Sequence, residues 1–352
     1  MNVFDHPEFD HHELVVFCDD RASGLRGIIA VHNTNLGPGA GGLRMWNYAS
    51  FDDALTDVLR LSKGMSYKSA LAGLPCGGGK SVIIADPHIQ GIERERILRA
   101  FARHVQTLNG KYRAAEDVGI SVDDVAIMMQ ECDYMFGLPD GTGDPSPLTA
   151  RGTYEGIRAA VRHQHQRDDL RGVRVAVQGV GHVGYYLAEL LADAGAELVI
   201  TDINAQAIDR VVQDFGATYV EPDAIYAADV DVYAPCALGA TLNDRTIPQL
   251  QAQIVAGAAN NQLAEARHGQ MLHERGILYA PDYVINAGGI INASGDIVGD
   301  YNYDETLKRV IDIHDTLLKI FTESQRMDRP THEIADDLAQ QRLQRDAFAA
   351  TV

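Results

Sequence analysis

Cysteine is scarce in this chain: Cys18, Cys76, Cys132 and Cys236 stand far apart, with no C-x-x-C pair among them. That spacing excludes a zinc knuckle and suggests no disulfide framework, so the thiols are expected to be reduced. Positive charge is short as well, with 30 Lys plus Arg against 49 Asp plus Glu and a formal net charge of -19. Such a surplus repels phosphate backbones and anionic membrane surfaces, so neither nucleic acid nor membrane is expected as a partner. No apolar run approaches 18 residues, and the opening "MNVFDHPEFDHHELVVFC" carries no basic n-region. A soluble, cytoplasmic protein is the expectation. His6, His11 and His12 lie among acids without the spacing of a structural zinc site; they read as part of a solvated surface strand, and no metal is expected.

A phosphate-binding P-loop is also missing, although "LPCGGGKSVII" at residues 74–84 resembles one at first sight. The pattern requires glycine five residues before the final glycine and a helix after the lysine. Position 74 is Leu74, and the β-branched run after Lys80, stopped by Pro87, reads as a strand. Glycines beside Lys80 make sense if a small substrate must lie against the backbone there.

What is present is an ordinary globular composition, 46% hydrophobic, over 352 residues, long enough for two domains. Strand and helix signals alternate nearly throughout, without repeats, which indicates an α/β fold. "ELVVFC" and "LRGIIAVHN" read as strands. "FDDALTDVLRLSKGM" has the helical period, with Leu55, Val58, Leu59 and Met65 on one face, and "ERILRAFARHVQTLNG" is a second helix. "LPDGTGDPSP" at 138–147 has the composition of a hinge. The expected domains are therefore 1–145, carrying substrate binding, catalysis and oligomerisation, and 146–329, a Rossmann-type doubly wound domain, with a cleft between them. The chain turns helical and polar from about residue 302, and its last helices, 330–352, could pack back on the first domain.

In "VAVQGVGHVG", Gly179-x-Gly181-x-x-Gly184 follows a buried-type strand and opens a helix, the context a dinucleotide fingerprint requires. The first glycine permits the turn, the second lets a pyrophosphate approach, and the third lets helix and strand pack closely. Asp202 closes the next strand, placed to hydrogen-bond the adenosine ribose and to repel a 2′-phosphate, while Ile203 and Asn204 supply no compensating cation. NAD is favoured over NADP. Val180, His182 and Val183 belong to the same turn, His182 as a helix-surface residue rather than a catalyst.

Chemistry is then expected from the first domain, where Lys68 and Lys80 flank small-residue stretches and "AAEDVG" offers carboxylates. A lysine shielded from water beside a second cation, here Lys68, loses its proton more easily, as general-base work requires. Either lysine in isolation reads first as a surface residue.

Four stretches read together carry more: "GPGAGGLRM", "SKGMSYKSALAGLPCGGGKSVIIADP", "AAEDVG" and "AGAANNQL" closely resemble the glutamate, leucine, valine and phenylalanine dehydrogenase family, most of all its leucine branch. "DVYAPCALGAT" and "LYAPDYVINAGG" extend the resemblance over nearly the whole chain. It implies reversible oxidative deamination of an L-amino acid with NAD to a 2-oxo acid and ammonium, in a homo-oligomer. By this resemblance Lys80 activates the attacking water and Asp117 exchanges protons with the amino group, though Asp117 could instead cap the helix at "SVDD", where Ser121 and Asp124 already look like a cap. Lys68 matches the lysine for the α-carboxylate, Asn261 the amide assisting it, and Gly41 and Gly42 line the pocket. Cys236, Ala237, Ala259 and Asn260 join the cofactor set. The role of Glu116 stays open.

Glutamate-preferring relatives carry lysine at the position matching Ala40; here that position and the matching Ala115, Ile290 and Ala293 are apolar. A charged substrate tail would lie there unpaired, so an apolar side chain is expected, branched-chain substrates first. Ala40 and Ala293 replace larger aliphatics of the leucine branch, and a wider pocket could admit phenylalanine or other bulky side chains.

Overall fold

The computed structural model describes residues 2–137, 143–298 and 301–349. Two compact units result, Met1–Gly143 with Ala293–Asn302 and Ala339–Val352, and Asp144–Asn292 with Tyr303–Leu338. Residues 138–142 of the hinge segment lie outside the described residues.

In chain order the first unit contains β1 (Leu14–Asp20), β2 (Leu25–Asn33), β3 (Gly39–Trp46), α1 (Phe51–Leu71), β4 (Gly77–Ile84), α2 (Gly91–Thr107), β5 (Tyr112–Ala115) and α3 (Val122–Met128). Its sheet runs β1-β2-β4-β3-β5, antiparallel at the first two pairings and parallel at the last two. One face is covered by α1, whose Ala54, Leu55, Val58 and Leu59 pack on Ile28, Ala30 and Val82; Met65, expected on the same stripe, is half-buried. Leu98, Phe101, Val105, Val125 and Met128 of α2 and α3 fill the other face against Ile29, Val31, Leu43 and Ile83. Ser50 caps α1 through the Asp53 N–H, and Ser121 with Asp124 forms a reciprocal capping box on α3.

The triple glycine is part of β4 rather than a turn before a strand. A Cβ on Gly78 would stand 2.1 Å from the Ser66 nitrogen and 2.4 Å from the Ser62 oxygen; on Gly79 it would meet the Tyr112 ring at 2.5 Å, and on Gly77 the Asn33 oxygen at 1.9 Å. The protein's own atoms fill that space. These glycines let α1 and the neighbouring strands approach β4, which corrects the expectation that substrate needs the room.

The N-terminal histidines do not lie on a solvated strand. Val3–Asp5 is a short 3-10 turn followed by irregular chain, and His6 and His12 are buried while His11 is exposed. His12 Nε2 lies 3.1 Å from the Leu59 oxygen and 3.0 Å from Ser62 Oγ, so α1 offers these rings polar partners as well as apolar cover.

The second unit has α4 (Ser146–His165), β6 (Arg174–Gln178), α5 (His182–Asp193), β7 (Glu197–Thr201), α6 (Ala205–Phe215), β8 (Thr218–Tyr219), β9 (Val232–Pro235), β10 (Ile254–Val255), α7 (Arg267–Glu274), β11 (Leu278–Tyr279), α8 (Asp282–Ile285), the start of α9 (Gly288–Val298), which belongs to the first unit from Ala293 onward, α10 (Tyr303–Ile311) and α11 (Ile313–Met327). All its strands pair in parallel in the order β11-β10-β9-β6-β7-β8, which is the doubly wound arrangement. The strand order reverses between β6 and β9, where such sheets bind ligands beyond the carboxyl ends of their strands. The last helix, α12 (Thr331–Ala349), belongs to the first unit from Ala339 onward. There Gln340 donates to the Tyr67 hydroxyl, and Arg342 donates to the Ala70 and Leu71 carbonyls that end α1. No helix among the described residues is long and apolar enough to cross a membrane.

Candidate active site

In the first unit, strand alternation puts Lys80 on the same face of β4 as Gly78 and Val82, the face that α1 covers. Its side chain is buried, only 8% exposed, and Nζ donates to Asp117 Oδ2 at 2.7 Å. Asp117 sits in the loop between β5 and α3, which is clamped from several sides. Met45 N–H donates to the Val118 carbonyl, a Cβ on Gly119 would meet the Met45 oxygen at 2.2 Å, and half-buried Arg94 grips both the Gly119 carbonyl and the Asp124 carboxylate. Ser121 and Asp124 cap α3, so Asp117 is not its cap and its carboxylate meets Lys80 instead. Gly42 closes the group: a Cβ there would lie 2.7 Å from Asp117 Cβ and 3.2 Å from Lys80 Nζ.

Burial pulls the Lys80 ammonium below its ordinary range; Asp117 opposes this and the Arg44 guanidinium adds to it. Burial pushes the Asp117 carboxyl up, but Lys80 and Arg44 outweigh it and hold the group below the usual carboxylate range. Arg44 is thus a cation acting on Lys80 that sequence reasoning did not name. Lys68 lies half-buried in the last turn of α1. Ala40 is fully buried in β3 and Ala115 half-buried at the end of β5. Glu116 is exposed, its carboxyl pushed up by burial and by neighbouring Asp117.

In the second unit the fingerprint glycines separate into two kinds. Gly179 has φ +97° and a Cβ there would meet Ala237 at 2.6 Å; a Cβ on Gly184 would lie 2.0 Å from the Gly179 oxygen. Both positions demand glycine for the turn and for packing α5 on β6. A Cβ on Gly181, by contrast, meets nothing within 4 Å, and this residue caps α5 with no side-chain hydrogen bond. Bare backbone at a helix amino end, facing open space, fits an incoming pyrophosphate. Val180, His182 and Val183 complete the turn, with His182 exposed at the first position of α5. The Asp202 carboxylate accepts from the Val180 N–H at 2.7 Å and the Asn204 N–H at 2.9 Å, so it is tied to the same turn.

Ala237 lies against Gly179, and Cys236, whose N–H donates to the Gln178 carbonyl, has its thiol pushed up to about 12 by burial. Ala259 N–H donates to the Pro235 carbonyl, which brings it to the end of β9. Asn260 accepts from Asn286, and Asn261 has φ +50° with its carbonyl accepting from the Ala240 N–H. Ile290 and Ala293 lie three residues apart on α9, both half-buried.

Comparison with known proteins identifies the lineage. The model of the Glu/Leu/Phe/Val dehydrogenase dimerisation domain matches residues 12–134, and that of Glutamate/Leucine/Phenylalanine/Valine dehydrogenase matches 141–210 and 200–347. Leucine dehydrogenase of Bacillus cereus is 51% identical over 346 residues, covering 97% of this chain and 94% of the relative. The chain belongs to the glutamate/leucine/phenylalanine/valine dehydrogenase family. It is an amino acid dehydrogenase, an oxidoreductase of amino acid deamination in a family that uses nicotinamide dinucleotides. Valine dehydrogenase of Streptomyces virginiae is 44% identical, covering 97% of both chains. The crystal structure of L-tryptophan dehydrogenase from Nostoc punctiforme superposes with a TM-score of 0.86 at 45% identity, covering 95% of this chain and 96% of that one.

Sequence reasoning missed three residues of this dehydrogenase's charged cluster. Arg44 Nε donates to Asp117 Oδ2 at 3.1 Å and its Nη1 to Asp57 Oδ2 at 2.8 Å, while the Tyr48 hydroxyl donates to the same Asp57 oxygen at 2.6 Å. One usable signal did exist: Arg44 shares strand parity with Gly42.

Proposed function

We propose that this dehydrogenase carries out the reversible, NAD-dependent oxidative deamination of apolar L-amino acids, with leucine, valine and isoleucine preferred. Amino acid, water and NAD yield 2-oxo acid, ammonium, NADH and a proton. The observation that carries the reading is the buried Lys80–Asp117 pair at 2.7 Å, with the side-chain-free Gly42 beside the amine.

Lys80, with its proton loosened by burial, takes a proton from the water that attacks the iminium left by hydride loss, and the resulting ammonium polarises the developing carbonyl. Asp117, ionised beside two cations, accepts and returns the proton of the substrate amino group. Lys68 pairs with the α-carboxylate. Gly179, Val180, Gly181, His182, Val183 and Gly184, with Cys236, Ala237, Ala259 and Asn260, would hold the dinucleotide, and Asp202 its adenosine ribose. NAD supplies the acceptor for the substrate α-hydride when bound. The apolar character of Ala40, Ala115, Ile290 and Ala293 supports an uncharged substrate side chain, because a buried unpaired carboxylate costs several kcal/mol. The match of residues 12–134 to a dimerisation domain supports a homo-oligomer.

A second reading, preference for phenylalanine or another bulky apolar amino acid, draws on the small Ala40 and Ala293 and on the 46% identity to L-tryptophan dehydrogenase of Nostoc punctiforme. A panel of amino acids assayed with NAD and with NADP separates the two by kcat/KM. Lys80→Ala is expected to lose turnover while retaining NAD affinity; near-normal turnover refutes the assignment.

A further inference from the structure

Two cations converge on a single carboxylate oxygen: Lys80 Nζ at 2.7 Å and Arg44 Nε at 3.1 Å from Asp117 Oδ2. The guanidinium is in turn held by Asp57 on α1, 2.8 Å away, and Asp57 by the Tyr48 hydroxyl at 2.6 Å. These residues come from β3, the segment after it, α1, β4 and the β5–α3 loop, so five pieces of chain are bound into one hydrogen-bonded line. Building on the proposed role of Lys80, we infer that Arg44, held by Asp57 and Tyr48, is the positioning residue of this reaction: it fixes Asp117 against Lys80 and keeps that carboxylate paired when the amine is neutral.

The reason lies in the difference between the two cations. A lysine that works as a base must spend part of each cycle uncharged, and at that moment a half-buried carboxylate with no other partner would take up a proton itself. Arginine stays charged throughout, and its planar fork presents separate donors to two carboxylates at once. Arg44 therefore holds Asp117 ionised and stationary through the whole cycle. Its charge also acts on Lys80 directly, since two nitrogens touching one oxygen stand less than about 6 Å apart, a range at which like charges repel by enough to move an amine titration.

The test compares Arg44→Gln, Arg44→Lys and Lys80→Ala in the full-length enzyme. Repulsion at that separation, taken between a water-like and a protein-surface dielectric, predicts that Arg44→Gln raises the acid limb of the deamination kcat/KM profile by about 0.5 to 2 pH units. Below the limb, activity falls by roughly 3- to 100-fold at fixed pH. Arg44→Lys, which retains the charge and loses the fork, should leave the limb within about 0.3 units while kcat drops and KM changes little. NMR titration of the Lys80 amine in protein with isotope-labelled lysine, without cofactor, should reproduce the shift in Arg44→Gln.

An unmoved limb and amine titration in folded Arg44→Gln overturns the inference, as does an Arg44→Lys enzyme with parental kcat. The second result decides the matter if Arg44→Gln does not fold. Lys80→Ala separates the levels: near-normal activity there removes the underlying reading of Lys80, whereas a dead Lys80→Ala beside an unmoved Arg44→Gln removes only the role given to Arg44.

Discussion

Replacing Gly78 by alanine tests whether the glycines of β4 serve packing or substrate. The added methyl would stand 2.1 Å from the Ser66 nitrogen, 2.3 Å from Ser66 Oγ and 2.4 Å from the Ser62 oxygen. Two of these atoms are helix backbone, so no rotamer change relieves them, and α1 must retreat from the sheet by about an ångström. Overpacking of a dense core typically costs about 1–3 kcal/mol, and the backbone contacts place this case at about 3 or above. For a unit of this size each kcal/mol lowers Tm by about 2–4 °C, which predicts a fall of roughly 6–12 °C. Gly64 on the same helix is the control, because a Cβ there meets nothing within 4 Å. Gly64→Ala removes backbone freedom from the unfolded chain and should raise stability by about 0.5–1 kcal/mol. Thermal and urea unfolding of both variants measure the difference. A Gly78→Ala protein as stable as its parent, with only the amino acid KM raised, would refute the packing argument and return the glycine to the substrate.

Acidification should destabilise the first unit through His12. Burial, helped by repulsion from His32, lowers the His12 pKa from 6.5 to about 4, so the unfolded chain binds more protons between those values. The stabilisation is complete above pH 6.5 and is lost as pH falls toward 4; at 1.36 kcal/mol per pH unit it amounts to about 3 kcal/mol, or roughly 2 after solvent screening. Urea midpoints of the parent should drop across that window and those of His12→Gln should drop less; equal slopes would exonerate His12. Asp202→Ala should narrow the preference for NAD over NADP, and should also weaken both nucleotides by about 1 kcal/mol, because the Val180 N–H loses its acceptor. An unchanged ratio of kcat/KM values for the two would show that the ribose lies elsewhere.

Local signals in the sequence were sufficient where structure is local. The stripe of Leu55, Val58 and Leu59 marked α1, Ser121 with Asp124 marked the cap of α3, and the Gly179–Gly184 turn identified the start of the doubly wound sheet. The charged cluster was less legible, because Arg44 meets Asp57 across 13 positions and Asp117 across 73, and no periodicity links such distances. Lys80 and Asp117 were legible only through the family pattern. The glycines before Lys80 misled for a related reason: sequence shows that a side chain is missing, and only the fold shows whether helix, ring or ligand takes the space. His12 was misjudged because polar neighbours along the chain imply solvent, whereas Leu59 and Ser62 of α1 shelter it in the folded unit.

The guanidinium that finishes α1 is encoded far downstream: Arg342 reaches the Leu71 carbonyl across 271 positions. The Lys68, Ser69 and Ala70 carbonyls are answered locally by the N–H groups of Ala72, Leu74 and Gly73, but the Leu71 carbonyl waits for that guanidinium until the whole dinucleotide-type sheet has been synthesised. Docking of α12 on the end of α1 is therefore a closure over most of the chain's length, the kind of non-local contact that slows folding.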